Sequence, residues 1–536
     1  MKRIKRISFL ALSSALVLAS CGGNNTKKGG GTKRFTSQTG WKPNDQKGWF
    51  FTGKQQKQKG WPNMVYVEGG TFTMGLVKDD VMHDWNNTPR RMQVSSFFIG
   101  ETETTNYDYR SYVTWLKYVF PPSDPQFKDI YTGALPDTLV WNNKLSRNDY
   151  AETYFRSTEW DYYPVVGVSW TQASRYCEWL TDRANEKVLM DQGVISKDLY
   201  ANDSNNQGSS SFTLDKYKAN DPEMQAYINE QRLKQKTGIR SNNQRIIAAN
   251  RNATSGVVEK FRLPTETEWE FAALGMAKNR EYDLYLGKKP KIEDLRGTKG
   301  RGRGMFLENF KYGRGDYSGV PGWKNDGSPI TSDVRQYPSN DLGIYGMYGN
   351  VAEWTADVYR PVIDEQASDF NYYRGNMPQE KVKNADGTYK MIEGGQVTYD
   401  TLADGRLVYR GLPGQYERKT VADYRNFRDG DFMSSLEAGY GRGADSATSG
   451  YDMYNAPKKR FRVDANGRVI MEKDSKERTS DISNEVRVVK GGSWKDTAYW
   501  LDPGQRRYRD EGKAYSWIGF RVAQDAKSNN KARTKR

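Results

Sequence analysis

The 536-residue chain carries 82 Lys and Arg against 66 Asp and Glu, with a formal charge of +16, and it has 15 Trp, 35 Tyr, 51 Gly, one His and two Cys. A single histidine excludes any site built on a His cluster, a zinc-protease site included, and two cysteines exclude a disulfide scaffold. The positive charge sits at the ends, with nine Lys and Arg against one Asp in 21–60 and five Lys and Arg without an acid in 526–536, so the near-neutral body does not read as a nucleic-acid binder.

Lys2, Arg3, Lys5 and Arg6 precede an apolar stretch from Ile7 to Ala19. A membrane-spanning helix needs about 20 apolar residues, so residues 1–20 read as a signal peptide. The stretch ends in Leu18-Ala19-Ser20-Cys21, which resembles the lipobox of bacterial lipoproteins and marks Cys21 as the lipid attachment residue. Cys177 is then the lone thiol of the mature chain, which must hold together by packing. Residues 21–60, rich in Gly, Lys, Asn, Thr and Gln, form a basic tether. Trp41, Trp49 and Phe50 are expected to dock its distal half on the body.

Ordered structure is expected from residue 61 to 525, starting with strands at Met64–Val67 and Thr71–Met74 around Glu68-Gly69-Gly70. His83, in Met82-His83-Asp84-Trp85, has no nucleophile motif beside it and reads as a loop histidine. A helix starts at Ser169, which forms a capping box with Gln172, and Trp170, Ala173, Cys177 and Leu180 make one buried stripe. Residues 186–258 form a polar insertion with a helical stretch from Pro222 to Gln235. A second capped helix follows Thr265, with Glu268 at its third position and Trp269, Ala272 and Ala273 on one face. Arg296–Gly304 reads as a solvated loop, not an RNA-binding segment. Residues 361–484 form a second insertion, with turns at Asp386-Gly387 and Asn466-Gly467. The latter is flanked by Phe461–Val463 and Val469–Met471 as a β-hairpin. The basic tail 526–536 closes the chain. High aromatic and Gly content suits a core of short strands and irregular loops in which rings supply most of the buried area.

Seven segments, in order, carry a resemblance. They are Gly69-Gly70-Thr71-Phe72-Thr73-Met74-Gly75, Glu103-Thr-Thr-Asn106, Pro164-Val-Val-Gly-Val-Ser169-Trp170, Arg262-Leu-Pro-Thr265-Glu-Thr-Glu268-Trp269-Glu270, Gly349-Asn350-Val351-Ala352-Glu353-Trp354, Gly491-Gly492-Ser493-Trp494 and Gly519-Phe520-Arg521. Together they resemble the formylglycine-generating enzyme (sulfatase-modifying factor) family. The resemblance implies an irregular α+β fold related to C-type lectins, low in regular secondary structure and here carrying two large insertions.

The resemblance also implies what is missing. Family oxidases bind copper through two Cys that fall here on Asp496 and Leu501, and neither replaces a soft thiolate. A related branch holds non-haem iron with several His, which one His cannot do. The chain is therefore expected not to be an enzyme and to hold no catalytic cofactor. A structural Ca²⁺ is implied at Asn309, Phe310, Asp326 and Ser328, whose oxygens suit a hard cation. Asp326 and Asn309 also read as ordinary turn formers. A second set would use Gly349, Val351 and Glu353, but its remaining acidic or amide ligand is replaced by Gly346.

Within the family, Gly40–Asp45, Lys78–Pro89, Pro121-Pro122 and Gly133–Trp141 resemble a branch of gliding-motility lipoproteins of the Bacteroidota. That branch implies a lipid-anchored protein on the periplasmic face of the outer membrane. Its partners would be gliding and type IX secretion proteins, among them the paralogous lipoprotein GldK, and no nucleic acid. The residues after Cys21, Gly-Gly-Asn-Asn-Thr-Lys-Lys, lack the acids typical of surface-exported lipoproteins in these bacteria. The expected role is a structural component of that apparatus. The alternative is a lectin-like module for peptidoglycan or lipopolysaccharide.

Overall fold

Strand β1 (Met64–Val67) alternates, with Tyr66 exposed and Val67 buried. The chain turns back through the hairpin β2 (Gly70–Met74) and β3 (Arg90–Val94) to β4 (Phe97–Gly100), which pairs with β1. All four residues of β4 are buried, because a strand from the far end of the chain covers its other edge. Those observations come from a computed structural model that describes residues 60–75, 89–142, 149–191, 211–219, 258–275, 306–311, 328, 330–359, 379–420, 461–463, 469–471 and 485–526.

Helix α1 (Asn106–Val119) opens on a capping box, Thr105 with Asp108, and buries Tyr109, Tyr112, Val113, Leu116 and Val119 on one face. Its short neighbour is α2 (Lys128–Ala134). Helix α3 (Trp170–Asp191) opens on the expected box. Ser169 N–H donates to Gln172 Oε1 at 2.9 Å, and Gln172 N–H to Ser169 Oγ at 3.2 Å. The two long helices meet through rings, Tyr109 on Tyr176 at 5.6 Å and Tyr112 on Trp179 at 5.3 Å. The buried face of α3 is wider than the expected stripe, since Tyr176 and Trp179 join Ala173 and Cys177 while Trp170 and Leu180 stay half-buried. The polar segment expected from 186 starts later, because α3 runs to Asp191 with Leu189 and Met190 buried.

Beyond α4 (Leu214–Ala219) and β5 (Phe261–Arg262), helix α5 (Glu266–Leu274) carries the second expected capping box. Strand β6 (Ala352–Val358) leads to the short strands β7 (Gln379–Lys381), β8 (Tyr399–Thr401), β9 (Leu407–Tyr409) and β10 (Arg418–Thr420). The expected hairpin forms from β11 (Phe461–Val463) and β12 (Val469–Met471). The chain ends in β13 (Val486–Lys490), β14 (Arg507–Asp510), β15 (Ile518–Gly519) and β16 (Ala523–Asp525). One four-stranded sheet runs β1-β4-β16-β5 and the other β14-β13-β6-β15, with β15 parallel to β6.

The described parts of the two insertions, 211–219 and 379–420, pack into the body and onto each other. Tyr409 on β9 is buried, and its hydroxyl meets that of Tyr112 at 2.5 Å. Asp182 of α3 holds both insertions. Its Oδ1 accepts from Leu214 N–H at 2.9 Å and its Oδ2 from Gln415 Nε2 at 3.0 Å. Thr213 donates to the Gly414 carbonyl, and Tyr416 N–H donates to Asp215.

Candidate functional site

The loop before β6 is organised by Asn350, which has φ +72°, a left-handed backbone that few residues other than Gly tolerate and Asn tolerates best. The surrounding bonds hold it there. Its Oδ1 accepts from Ser332 N–H at 2.8 Å and from Asn309 Nδ2 at 3.2 Å, and its Nδ2 donates to Glu103 Oε1 at 3.0 Å. Its carbonyl accepts from Trp494 N–H, which links the loop to the Gly-Gly-Ser-Trp turn.

Beneath that loop lies a buried ion pair. Glu353 and Arg521 are both fully buried. Arg521 donates through Nε and Nη2 to the carboxylate at 2.6 to 2.9 Å, and Trp269 Nε1 donates to Glu353 Oε2 at 2.8 Å. Glu103 lies next to them, also buried. Burial pushes its carboxyl up to about 8, against the pull of Arg521 and with repulsion from Glu353. The other Glu103 oxygen, Oε2, accepts no hydrogen bond among the described residues. Gly346 makes room for this carboxyl, since a Cβ there would come within 2.4 Å of Glu103 Oε1.

The two implied calcium sets fare differently. In the first, Asn309 is fully buried, and its Oδ1 accepts no hydrogen bond among the described residues, which fits a hard-cation ligand. Phe310 follows it and is buried. Ser328 Oγ lies 3.5 Å from Gln336 Oε1, and Asp326 is outside the described residues. The second set does not fit as arranged. Gly349 and Val351 flank Asn350, but Glu353 is committed to Arg521 and Trp269, and the Glu103 carboxyl fills the space beside Gly346. A desolvated guanidinium needs its carboxylate, so Glu353 is corrected from metal ligand to ion-pair partner. Among the described residues no group of three or more His, Cys, Asp or Glu is placed to hold a metal.

The two copper positions are filled, Asp496 in the turn after Ser493 and Leu501 at the end of the short helical turn Ala498–Leu501. Asp496 Oδ2 accepts from Arg507 Nη2 at 2.6 Å and from Ser493 Oγ at 2.5 Å. Arg507 also donates to the Gly491 carbonyl at 2.8 Å and lies over the rings of Trp517 at 4.4 Å and Trp500 at 4.7 Å. Leu501 is buried against Phe306 and Phe310. An ion pair and an aliphatic plug offer no soft donor. Cys177 is buried, and burial pushes its thiol above the usual range, so it stays protonated and inert.

Glu103 and its partnership with Gly346 were not readable in advance. The Glu103-Thr-Thr-Asn106 motif flagged the residue, but only the fold brings it to Asn350. Cys21 and His83 lie outside the described residues, as do the tether aromatics, the Pro222–Gln235 stretch and Arg296–Gly304. Among the described residues no helix is long and apolar enough to cross a membrane.

The chain is 24% identical over 315 residues to the inactive Cα-formylglycine-generating enzyme 2 of Bos taurus, covering 56% of this chain and 71% of that protein. It is 22% identical over 296 residues to the formylglycine-generating enzyme of Mus musculus, covering 55% of this chain and 58% of the mouse protein. Among solved structures it is similar to PvdO from Pseudomonas aeruginosa, with 14% identity, a TM-score of 0.33, and coverage of 86% of this chain and 94% of that one. The family therefore holds both active and inactive proteins, and with its sulfatase-modifying factor enzyme 1-like domain model matching residues 51–411, this chain belongs to it.

Proposed function

We propose that the chain is a non-catalytic member of its family that serves as a structural component of a gliding-motility and type IX secretion apparatus, as the lipoprotein GldJ of the Bacteroidota does. On this reading Cys21 is acylated and anchors the body to the periplasmic face of the outer membrane. The observation that carries the non-catalytic half is the filled metal turn, where Asp496 is paired with Arg507 and Leu501 is buried. The family's inactive relative is in keeping with it. The apparatus half rests on the resemblance of Gly40–Asp45, Lys78–Pro89 and Gly133–Trp141 to that lipoprotein branch. Stable anchoring by acyl chains, with each buried CH₂ contributing about 0.8 kcal/mol, suits a scaffold that stays while its neighbours move.

The test is an affinity pull-down of the intact protein from crosslinked cells. Recovery of secretion or motility subunits, the paralogous lipoprotein GldK among them, supports the scaffold. An intact, membrane-bound protein that recovers none of them defeats it.

A further inference from the structure

We infer that the face where α4, β7 and β10 meet the start of β5 binds a sugar that carries an anionic group, phosphate or carboxylate. Four cations converge there, Lys218, Lys260, Lys381 and Arg418, around two carboxylates, Asp215 and Glu178. The carboxylates do not satisfy them. Glu178 is taken by Arg175 at 2.8 Å, and Asp215 accepts from Tyr416 N–H at 3.1 Å. The remaining approaches are long. Lys381 Nζ is 3.8 Å from Asp215, and Arg418 is 3.9 Å from Asp215 and 4.0 Å from Glu178. Charge-assisted bonds close to about 2.7–2.9 Å, so Lys381 and Arg418 keep donors for another oxyanion.

Mutual repulsion marks the same point. Lys260 and Lys381 are held below the usual lysine range, first by desolvation, with Arg418 and Lys218 adding repulsion to both against the pull of Asp215. An incoming anion relieves that repulsion. β7 pairs antiparallel with β10, and the other acids beside them are already matched, Glu380 with Lys419 at 3.0 Å and Glu417 with Lys390 at 2.8 Å.

The sugar half rests on the rings. Lys381 Nζ lies 3.8 Å from the Tyr416 ring centroid and 5.1 Å from that of Tyr389, and Lys383 lies 5.8 Å from Tyr389. Tyr416 is buried, whereas Tyr389, packed 5.4 Å from it, is 46% exposed and offers ring surface beside the cations. A bare phosphate has no use for that surface, and a neutral sugar has no use for the cations.

The inference does not rest on the scaffold reading, since a chain that captures no apparatus subunit can still bind the sugar. The full chain is titrated with an oligogalacturonate and with a mannose-6-phosphate oligosaccharide, and maltoheptaose, inorganic phosphate and phosphatidylglycerol vesicles serve as comparisons. Either acidic sugar is expected to bind in a salt-sensitive way, and maltoheptaose is not. The double variant Lys381→Gln/Arg418→Gln is expected to lose about tenfold or more, the scale of one charge-assisted bond. Tyr389→Ala should weaken the acidic sugars and leave inorganic phosphate unchanged. Because Lys381 also packs on Tyr416, Lys218→Gln/Lys260→Gln is measured in parallel. Both residues are exposed, and a several-fold loss at an unchanged melting temperature supports the site. Wild-type affinity in both double variants, equal binding of maltoheptaose, or a Tyr389→Ala variant indifferent to the sugar overturns it. So does binding to the vesicles without binding to either soluble acidic sugar.

Discussion

Arg521 Nη2 stands 2.6 Å from Glu353 Oε1, and neither side chain is exposed. The strand Ala352–Val358 and the segment after Ile518–Gly519 are thus joined at one charge pair, which also reaches the Gly100 and Tyr345 carbonyls. Removing one partner strands the other in a desolvated site. Arg521→Met is expected to cost about 3–5 kcal/mol in urea unfolding. Arg521→Met combined with Glu353→Leu should recover much of that loss, because two apolar groups strand no charge. Additive losses in the double variant would refute the coupling.

Glu103 gives a pH prediction. Its folded carboxyl is raised by burial to about 8 from an unfolded value of 4.5, so the folded state holds a proton that the unfolded state has released. This contribution to stability is full below about 4.5 and is lost as pH rises through about 8. Glu103→Gln keeps an acceptor for Asn350 and does not titrate. Relative to wild type, the variant should gain stability from about pH 5 to pH 8 and level off above that. A difference that stays flat over that window means Glu103 is ionised throughout. Asp357, also raised to about 8, adds the same slope to both proteins and cancels.

At the filled metal turn, Asp496→Ala leaves Arg507 without its carboxylate. Both groups are largely buried, so a loss of about 3 kcal/mol is expected in the same unfolding assay. The wild-type chain should take up no Cu(I) in competition with a chromophoric chelator. Uptake of one equivalent of copper would instead reopen the catalytic reading.

Asp182→Ala cuts the bonds that hold Leu214 and Gln415 to α3. Limited proteolysis should then cleave within 211–219 and within 379–420 at similar, faster rates, because the two segments are also tied to each other through Thr213 and Asp215. Faster cleavage of one alone would show that they open separately. The same tie means that deleting either insertion disturbs both, so single-residue changes are the better partners for the pull-down.

Local signals were readable in the sequence where the chemistry is local. Ser169 with Gln172 and Thr265 with Glu268 are capping boxes whose spacing alone defines them. The strands Phe461–Val463 and Val469–Met471 pair as expected, while the Asn466-Gly467 turn between them lies outside the described residues. Gly387 likewise takes φ +86° in the expected turn. Distant relationships were not readable. Glu353 looks like a metal ligand until Arg521, 168 residues on, occupies it. Residues 379–420 look like an appendage until Tyr409 enters the core beside Tyr112. Both misreadings concern groups whose partner is set by topology, which spacing does not encode.

The strand Ala523–Asp525 lies inside its sheet, between Phe97–Gly100 and Phe261–Arg262. Met64–Val67 and Phe97–Gly100 therefore wait for a strand far along the chain before their sheet is complete. Contacts of such long sequence separation form slowly, and this sheet cannot close before Ala523–Asp525 takes its place. Closure of this sheet is therefore a late step of folding, because two of its strands have no complete partner set until Ala523–Asp525 is seated between them.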